Sequence, residues 1–251
     1  MIKYDPKKNQ TILDKIQAPV DIPIVKDGVI DFDIWKPQAP KVLFVLKDTN
    51  QHRGSLIQLL SEPYHEDHRP EITNHNKRTR KIRSDLRYTW LNISRWAFGI
   101  ERIWDNNPIL DWKEIDNKSE WYQEEQDYLG WMNELKKIAV INLKKTPGKE
   151  AAKPAELQNA YDDYGDLLWK QINLIDPNVI IFCSVSNYIV TDEIISGLRT
   201  NWEKTKQGFS YFETHKKLFI QYWHPNARYP HNMMFFSLMN IISELKDVYK
   251  L

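Results

Sequence analysis

At 251 residues, 41% hydrophobic and 27% charged, the chain is long enough to bury a sizeable core and too apolar to be a disordered polypeptide. Lys and Arg total 35 against 34 Asp and Glu, so any grip on a polyanion must come from a local basic patch rather than the field of the whole molecule. The single cysteine, Cys183, excludes an internal disulfide and a cysteine-built metal or iron–sulfur site.

The amino end, Met1-Ile2-Lys3-Tyr4-Asp5-Pro6, has no apolar targeting region, and no stretch reaches membrane-spanning length. The expectation is a cytoplasmic protein without membrane association, and a monomer. Residues 1–40 form a polar lead-in broken by Pro19, Pro23, Pro37 and Pro40. A short helix over Gln10–Ile16 and extended pieces around Ile22 and Val29–Ile34 are expected there, wrapping a sheet edge. Val42 to Leu46 is then an unbroken apolar run, rich in β-branched and aromatic residues, and reads as a fully buried strand. It stops at Lys47-Asp48-Thr49-Asn50, before a new apolar pattern at Leu56, Ile57, Leu59 and Leu60. A strand ending this way delivers polar groups to the carboxyl edge of its sheet, where open α/β sheets bind ligands. A plain turn with Asp48 or Asn50 as a helix cap fits the same residues.

Residues 61–137 read as a mainly helical insertion. Its first part carries His65, Glu66, Asp67 and His68, which are metal-ligand types, but Pro63 and Pro70 break the segment and a solvated loop is expected instead. Lys77, Arg78, Arg80, Lys81, Arg83 and Arg87 follow as the densest basic run, opposed only by Asp85. They lead into a helical pattern through Trp90, Ile93, Ala97 and Ile100. Basic groups followed by aromatics suit a phosphate backbone with unstacked bases; a solvated helix face over core aromatics suits the pattern equally.

A second apolar strand begins at Ile138, meets Asn142, and continues into a basic loop with Lys144, Lys145, Pro147, Gly148 and Lys149. A helix over 155–175 has its apolar stripe at Leu157, Tyr161, Tyr164, Leu168, Ile172 and Ile175. A third strand, Val179–Cys183, is followed by Ser184, Ser186 and a helix expected from Tyr188 to Leu198. Phe209–Phe212 and Leu218–Tyr222 read as a hairpin, the second strand ending in Trp223-His224-Pro225-Asn226-Ala227-Arg228, and His231–Tyr249 as a last helix. Strands alternating with helices at this spacing predict one three-layer α/β/α domain over 1–251, around a central, mostly parallel sheet.

Asp48, Asn142 and His224, with Ser184 and Ser186 less persuasively, therefore converge on one edge of the sheet. A carboxylate, an amide and an imidazole there are able to position water, read a polar ring edge and hold developing negative charge. Each also has a structural reading, as a cap, a turn residue or a satisfied loop histidine.

The pattern resembles the uracil-DNA glycosylase superfamily. Its members carry a motif such as Gly-Gln-Asp-Pro-Tyr after the opening strand, a pyrimidine-reading Asn after a middle strand and a late His-Pro-Ser loop. Leu46-Lys47-Asp48-Thr49-Asn50, Ile141-Asn142-Leu143-Lys144-Lys145-Thr146-Pro147-Gly148 and His224-Pro225-Asn226-Ala227-Arg228 stand in those places. Leu174-Ile175-Asp176-Pro177-Asn178-Val179-Ile180-Ile181 is similar to the family's strand entry, so the similarity covers roughly residues 41–60 and 138–248. The middle motif is most similar to the iron–sulfur branch, whose four cysteines are not present. Leu46 replaces the usual Gly, Thr49 the Pro, and Asn226 the Ser.

The resemblance implies a hydrolase acting in DNA repair on a nucleotide flipped out of single- or double-stranded DNA, with no metal or other cofactor. Asp48 would orient water and stabilise a sugar cation, and His224 would donate to the departing base. Asn142, with Asn50, would read the pyrimidine edge, and Tyr64, Trp90 or Phe98 would stack on it. Lys144, Lys145 and Lys149 would meet phosphates, as would Lys77, Arg78, Arg80, Lys81 and Arg83. Asn226 and Arg228 would press against the duplex. A catalytically inactive nucleic-acid-binding module and a nucleotide hydrolase using the same edge remain the alternatives.

Overall fold

The computed structural model describes residues 4–49, 52–61, 84–116, 129–148, 152–189, 202–214 and 217–249. Among these residues the strands are β1 (Gly28–Val29), β2 (Val42–Asp48), β3 (Ala139–Lys144), β4 (Val179–Cys183), β5 (Glu203–Lys204), β6 (Ser210–Thr214) and β7 (Lys217–Tyr222). They form one sheet in the order β1-β3-β2-β4-β7-β6-β5. The inner strands β3, β2, β4 and β7 run parallel, and β1, β6 and β5 join antiparallel at the edges. This is the expected α/β fold, with its mostly parallel sheet.

The inner strands are apolar on both faces because both faces are covered. With a side-chain period of two, Val42, Phe44 and Leu46 of β2 enter one apolar cluster while Leu43 and Val45 enter the other. Each such fully buried side chain contributes about 1.5–3 kcal/mol relative to exposure. The first cluster is closed by α3 (Leu56–Ser61), α4 (Ser84–Trp104), α5 (Trp112–Ile115), α6 (Leu129–Lys136) and α9 (His231–Tyr249). The second is closed by α1 (Pro6–Gln17), α2 (Phe32–Trp35), α7 (Pro154–Ile175) and α8 (Ser186–Ile189).

Helices α4, α5 and α6 come from the stretch expected as a mainly helical insertion and, with α3 and α9, cover one face of the sheet. The fully buried Trp96 of α4 packs its ring 6.2 Å from Phe44 and edge-on, 5.4 Å, to Tyr222, bridging two inner strands. The lead-in also differs from expectation. Asp31 accepts hydrogen bonds from the backbone N–H of Asp33 and Ile34, both at 3.1 Å, and so starts α2 inside a stretch read as extended. Val29 keeps the expected extended form in β1, and the cap at Asp31 turns the chain helical only from Phe32. Of the helix expected over Tyr188–Leu198, the first residues belong to α8 and the remainder lie outside the described residues.

The chain runs from β2 outward to β3, then returns through α7 to β4 on the opposite side of β2. That reversal places a topological switch point beside the carboxyl end of β2, where a crevice opens in doubly wound folds. Asn142 lies inside β3 directly opposite Leu46, and Asp48 lies opposite Lys144.

Candidate active site

Asp48 ends β2 half-buried, with Thr49 buried behind it. The chain then turns, His52 N–H donating to the Thr49 carbonyl at 3.0 Å. Lys26 N–H donates to the Gly54 carbonyl (3.1 Å) and Leu56 N–H to that of Lys26 (2.8 Å), tying the turn to the lead-in. Gly54 takes φ +93°, a conformation natural to glycine alone. The result is a pocket between the sheet and helices α3 and α4. Asp48, Thr49 and His52 line it beside Asn142 of β3, Trp90 of α4 and His224 beyond β7. The enclosed space is about 20 Å³, room for about one water molecule.

His224 is held from several directions. Its carbonyl accepts the Ala227 N–H at 2.8 Å, closing a turn, and its Nδ1 accepts the Asn226 backbone N–H at 3.1 Å. With Nδ1 as acceptor, the neutral ring carries its proton on Nε2 and is a donor there. Burial, with a smaller contribution from the nearby Lys47 ammonium, lowers its pKa from 6.5 to about 4. The ring is therefore neutral at physiological pH. Pro225 is buried and its carbonyl accepts a 2.7 Å hydrogen bond from Asn92 Nδ2, while Asn92 Oδ1 lies 2.9 Å from His231 Nδ1. Asn92 thus staples the histidine loop to α4 and to the start of α9. Sequence reasoning missed it, although an Asn between Trp90 and Ile93 in an otherwise apolar helix face was a visible signal.

Asn142 is 1% exposed. Its backbone N–H donates to Asp27 Oδ2 at 2.8 Å and its side-chain Nδ2 to the same oxygen at 3.3 Å. β1 pairs with β3 at Ala139 and Val140 and goes no further, and the Asp27 carboxylate takes up the edge N–H of Asn142 beyond them. Two further polar atoms of the pocket, Thr49 Oγ1 and Trp90 Nε1, are buried without a hydrogen-bond partner among the described residues. Trp35 Nε1 and Trp96 Nε1, away from the pocket, are in the same condition.

The residues expected at the nucleic acid divide sharply. Lys145 is corrected: it is fully buried, its Nζ 2.6 Å from Asp27 Oδ1, and has no route to a phosphate. Ala139, Ile141, Leu143 and Lys145 share one face of β3 and its extension, and that face lies under α7. Burial alone would drive the lysine toward its neutral form, which is why it needs the carboxylate. Lys144, one residue earlier, remains partly exposed, 3.6 Å from Glu156. Asn226 and Arg228 are exposed on the turn after His224. Ser184 is exposed, Ser186 begins α8, and neither lines the pocket. Of the candidate stacking rings, Trp90 lines the pocket, whereas Phe98 packs against the core with the Arg102 guanidinium 5.6 Å over its ring. Asn50, Tyr64, Lys77, Arg78, Arg80, Lys81, Arg83 and Lys149 lie outside the described residues, as do His65 and His68.

Among the described residues, no group of three His, Cys, Asp or Glu side chains is placed to hold a metal ion, and no helix is long and apolar enough to cross a membrane. A scan against protein-family models and a search of curated proteins found no match to this chain.

Proposed function

We propose that this protein is a DNA glycosylase-type hydrolase that cleaves the N-glycosidic bond of a flipped uracil or related deaminated base. The observation that carries this is the meeting of Asp48 at the end of β2, Asn142 inside β3 and His224 beyond β7 in one pocket beside the switch point. As the bond between C1′ and the base nitrogen breaks, its electron pair leaves with the base and positive charge builds on the sugar. The Asp48 carboxylate stabilises that charge and aligns a water. The water oxygen bonds to C1′, and its proton passes to the carboxylate. The neutral His224, donating through Nε2, holds the charge on the departing base oxygen, a role that needs a preorganised donor rather than a full positive charge. Asn142 reads the base edge. Asn226 and Arg228, exposed on the turn after His224, and the partly exposed Lys144 opposite Asp48 would meet the phosphates.

Base flipping supplies the substrate to such a pocket. The space fits a water and not a pyrimidine, so the pocket must widen to admit the base. That closed space is the one observation favouring a second reading, a nucleic-acid-binding module of the same fold without chemistry.

Incubation with labelled single- and double-stranded DNA containing uracil, followed by alkaline cleavage at abasic sites, separates the two. Strand breaks at the uracil positions are the expected result. Retained DNA binding with no breaks on any deaminated base would leave the binding module.

A further inference from the structure

Asp27 is an unexpected residue to find at the centre of this arrangement. It is fully buried immediately before β1, and every group around its carboxylate is a donor. Oδ1 accepts from Lys145 Nζ at 2.6 Å and Gln171 Nε2 at 3.1 Å. Oδ2 accepts from the Asn142 backbone N–H at 2.8 Å and from Asn142 Nδ2 at 3.3 Å. Its own backbone carbonyl accepts from Asn9 Nδ2 at 3.0 Å. The neighbouring Gly28, at φ +142°, leaves no space for a side chain, since a Cβ there would meet Asn9 Nδ2 at 2.8 Å. The carboxylate is thus fixed in place from several elements.

The consequence falls on Asn142. An ionised carboxylate only accepts hydrogen bonds, so the amide nitrogen of Asn142, never its oxygen, faces Asp27. Rotating the amide by a half-turn would set Oδ1 against Oδ2, two acceptors in a buried site, at the full cost of unpaired polar groups. The amide therefore presents one arrangement to the pocket, with its carbonyl and its second N–H in set positions. Uracil offers a ring N–H donor next to a carbonyl acceptor; cytosine offers an acceptor next to an amino donor. A fixed amide matches one of these edges, and a freely turning amide accommodates both.

Resting on the glycosylase reading, we propose that Asp27 is a positioning residue that sets base specificity: by holding the Asn142 amide in one orientation it admits a uracil-type edge and rejects a cytosine-type edge. Asp27 touches neither base nor water and acts through Asn142.

The test pairs Asp27→Asn with Lys145→Met, which removes both members of the buried ion pair and leaves no lone ammonium. The new amide at position 27 carries no charge, so the hydrogen bond that holds the Asn142 amide is weakened and its second orientation costs less. Release of uracil and of cytosine is measured on oligonucleotides of otherwise identical sequence. The ratio of the two rates is expected to fall by about 10- to 100-fold, the scale of one buried hydrogen-bond mismatch. A merely structural role lowers both rates together and keeps the ratio, which would overturn the proposal. A second measurement needs no variant: nitrogen relaxation of the Asn142 side-chain amide in the unaltered protein. An order parameter near that of rigid backbone, about 0.85, is expected, and one below about 0.6 overturns the proposal even if the paired variant does not fold. Unaltered protein that releases no base refutes the glycosylase reading itself. Uracil release with an unchanged ratio in the paired variant refutes only the role of Asp27.

Discussion

Two polar regions flank β3, and they are satisfied in opposite ways. Under α1 and α7, both oxygens of Asp27 take two donors each, and Lys145, Gln171, Asn9 and Asn142 close around them. A single atom of that network, Gln171 Oε1, is buried without a partner among the described residues. Under α3 and α4, by contrast, Thr49 Oγ1 and Trp90 Nε1 have no partner among them, in a pocket that also holds Asp48, Asn142 and His224. A buried charge surrounded by donors belongs to the scaffold. Asn142 belongs to both regions, its amide nitrogen committed to the first and its remaining groups left to the second.

The largest expected effect sharpens this difference from the scaffold side. Lys145→Met leaves Asp27 as a buried carboxylate without its cation, and breaking such a pair costs about 3–5 kcal/mol. In a domain of this size that lowers the melting temperature by about 6–20 °C, measurable by calorimetry. Adding Asp27→Asn to it is expected to restore most of the loss. If Lys145→Met melts like the unaltered protein, the Asp27 network is not the scaffold described here.

Next in size is the response to acid. The folded protein binds a proton at His224 less readily than the unfolded chain does, its pKa lying at about 4 instead of 6.5. The stability this group contributes is complete above pH 6.5 and is lost as pH falls from there to about 4. The total is roughly 3 kcal/mol. His224→Gln is expected to flatten the stability profile across that window, read by chemical denaturation at several pH values. Proton NMR of the unaltered protein should show no His224 titration between pH 6 and 8; a midpoint near 6.5 would mean that the ring is not desolvated.

The smallest effect separates two adjacent lysines. Lys144→Gln removes a partly exposed charge and Arg228→Gln an exposed one, and each is expected to flatten the slope of log affinity for DNA against log salt by about 0.7–0.9. Lys145 has no such contact to lose. A folded variant carrying Asp27→Asn with Lys145→Met should keep the full slope, and a reduced slope there would mean that Lys145 reaches phosphate after all.

The contrast between these lysines also marks how far the sequence was legible. β2, β4, the β6–β7 hairpin and α9 follow from run length and period, because burial on two faces writes continuous apolar runs and a covered helix face writes a stripe. Asp48 and His224 lie at and beyond strand ends as read from the sequence, whereas Asn142, read as a strand end, lies inside β3. Lys145 misled because a basic residue in a Pro-Gly loop looks solvated, and its partner Asp27 stands 118 residues away. Its parity with Ala139, Ile141 and Leu143 was the available signal. Asp27 itself sits in a polar lead-in, where nothing local separates a buried carboxylate from a surface one. Such pairings are set by tertiary packing, and local pattern does not encode them.

The most direct test of the central claim is single-turnover release of labelled uracil by the unaltered protein and by Asp48→Asn, with affinity for the same oligonucleotide measured alongside. Release by the unaltered protein is expected. Loss of the carboxylate should slow it by about 10²–10⁴-fold while affinity stays within a few-fold, as for removal of a group that acts in the transition state. Equal rates for the two proteins, or firm DNA binding with no release by either, would contradict the assignment of chemistry to this pocket.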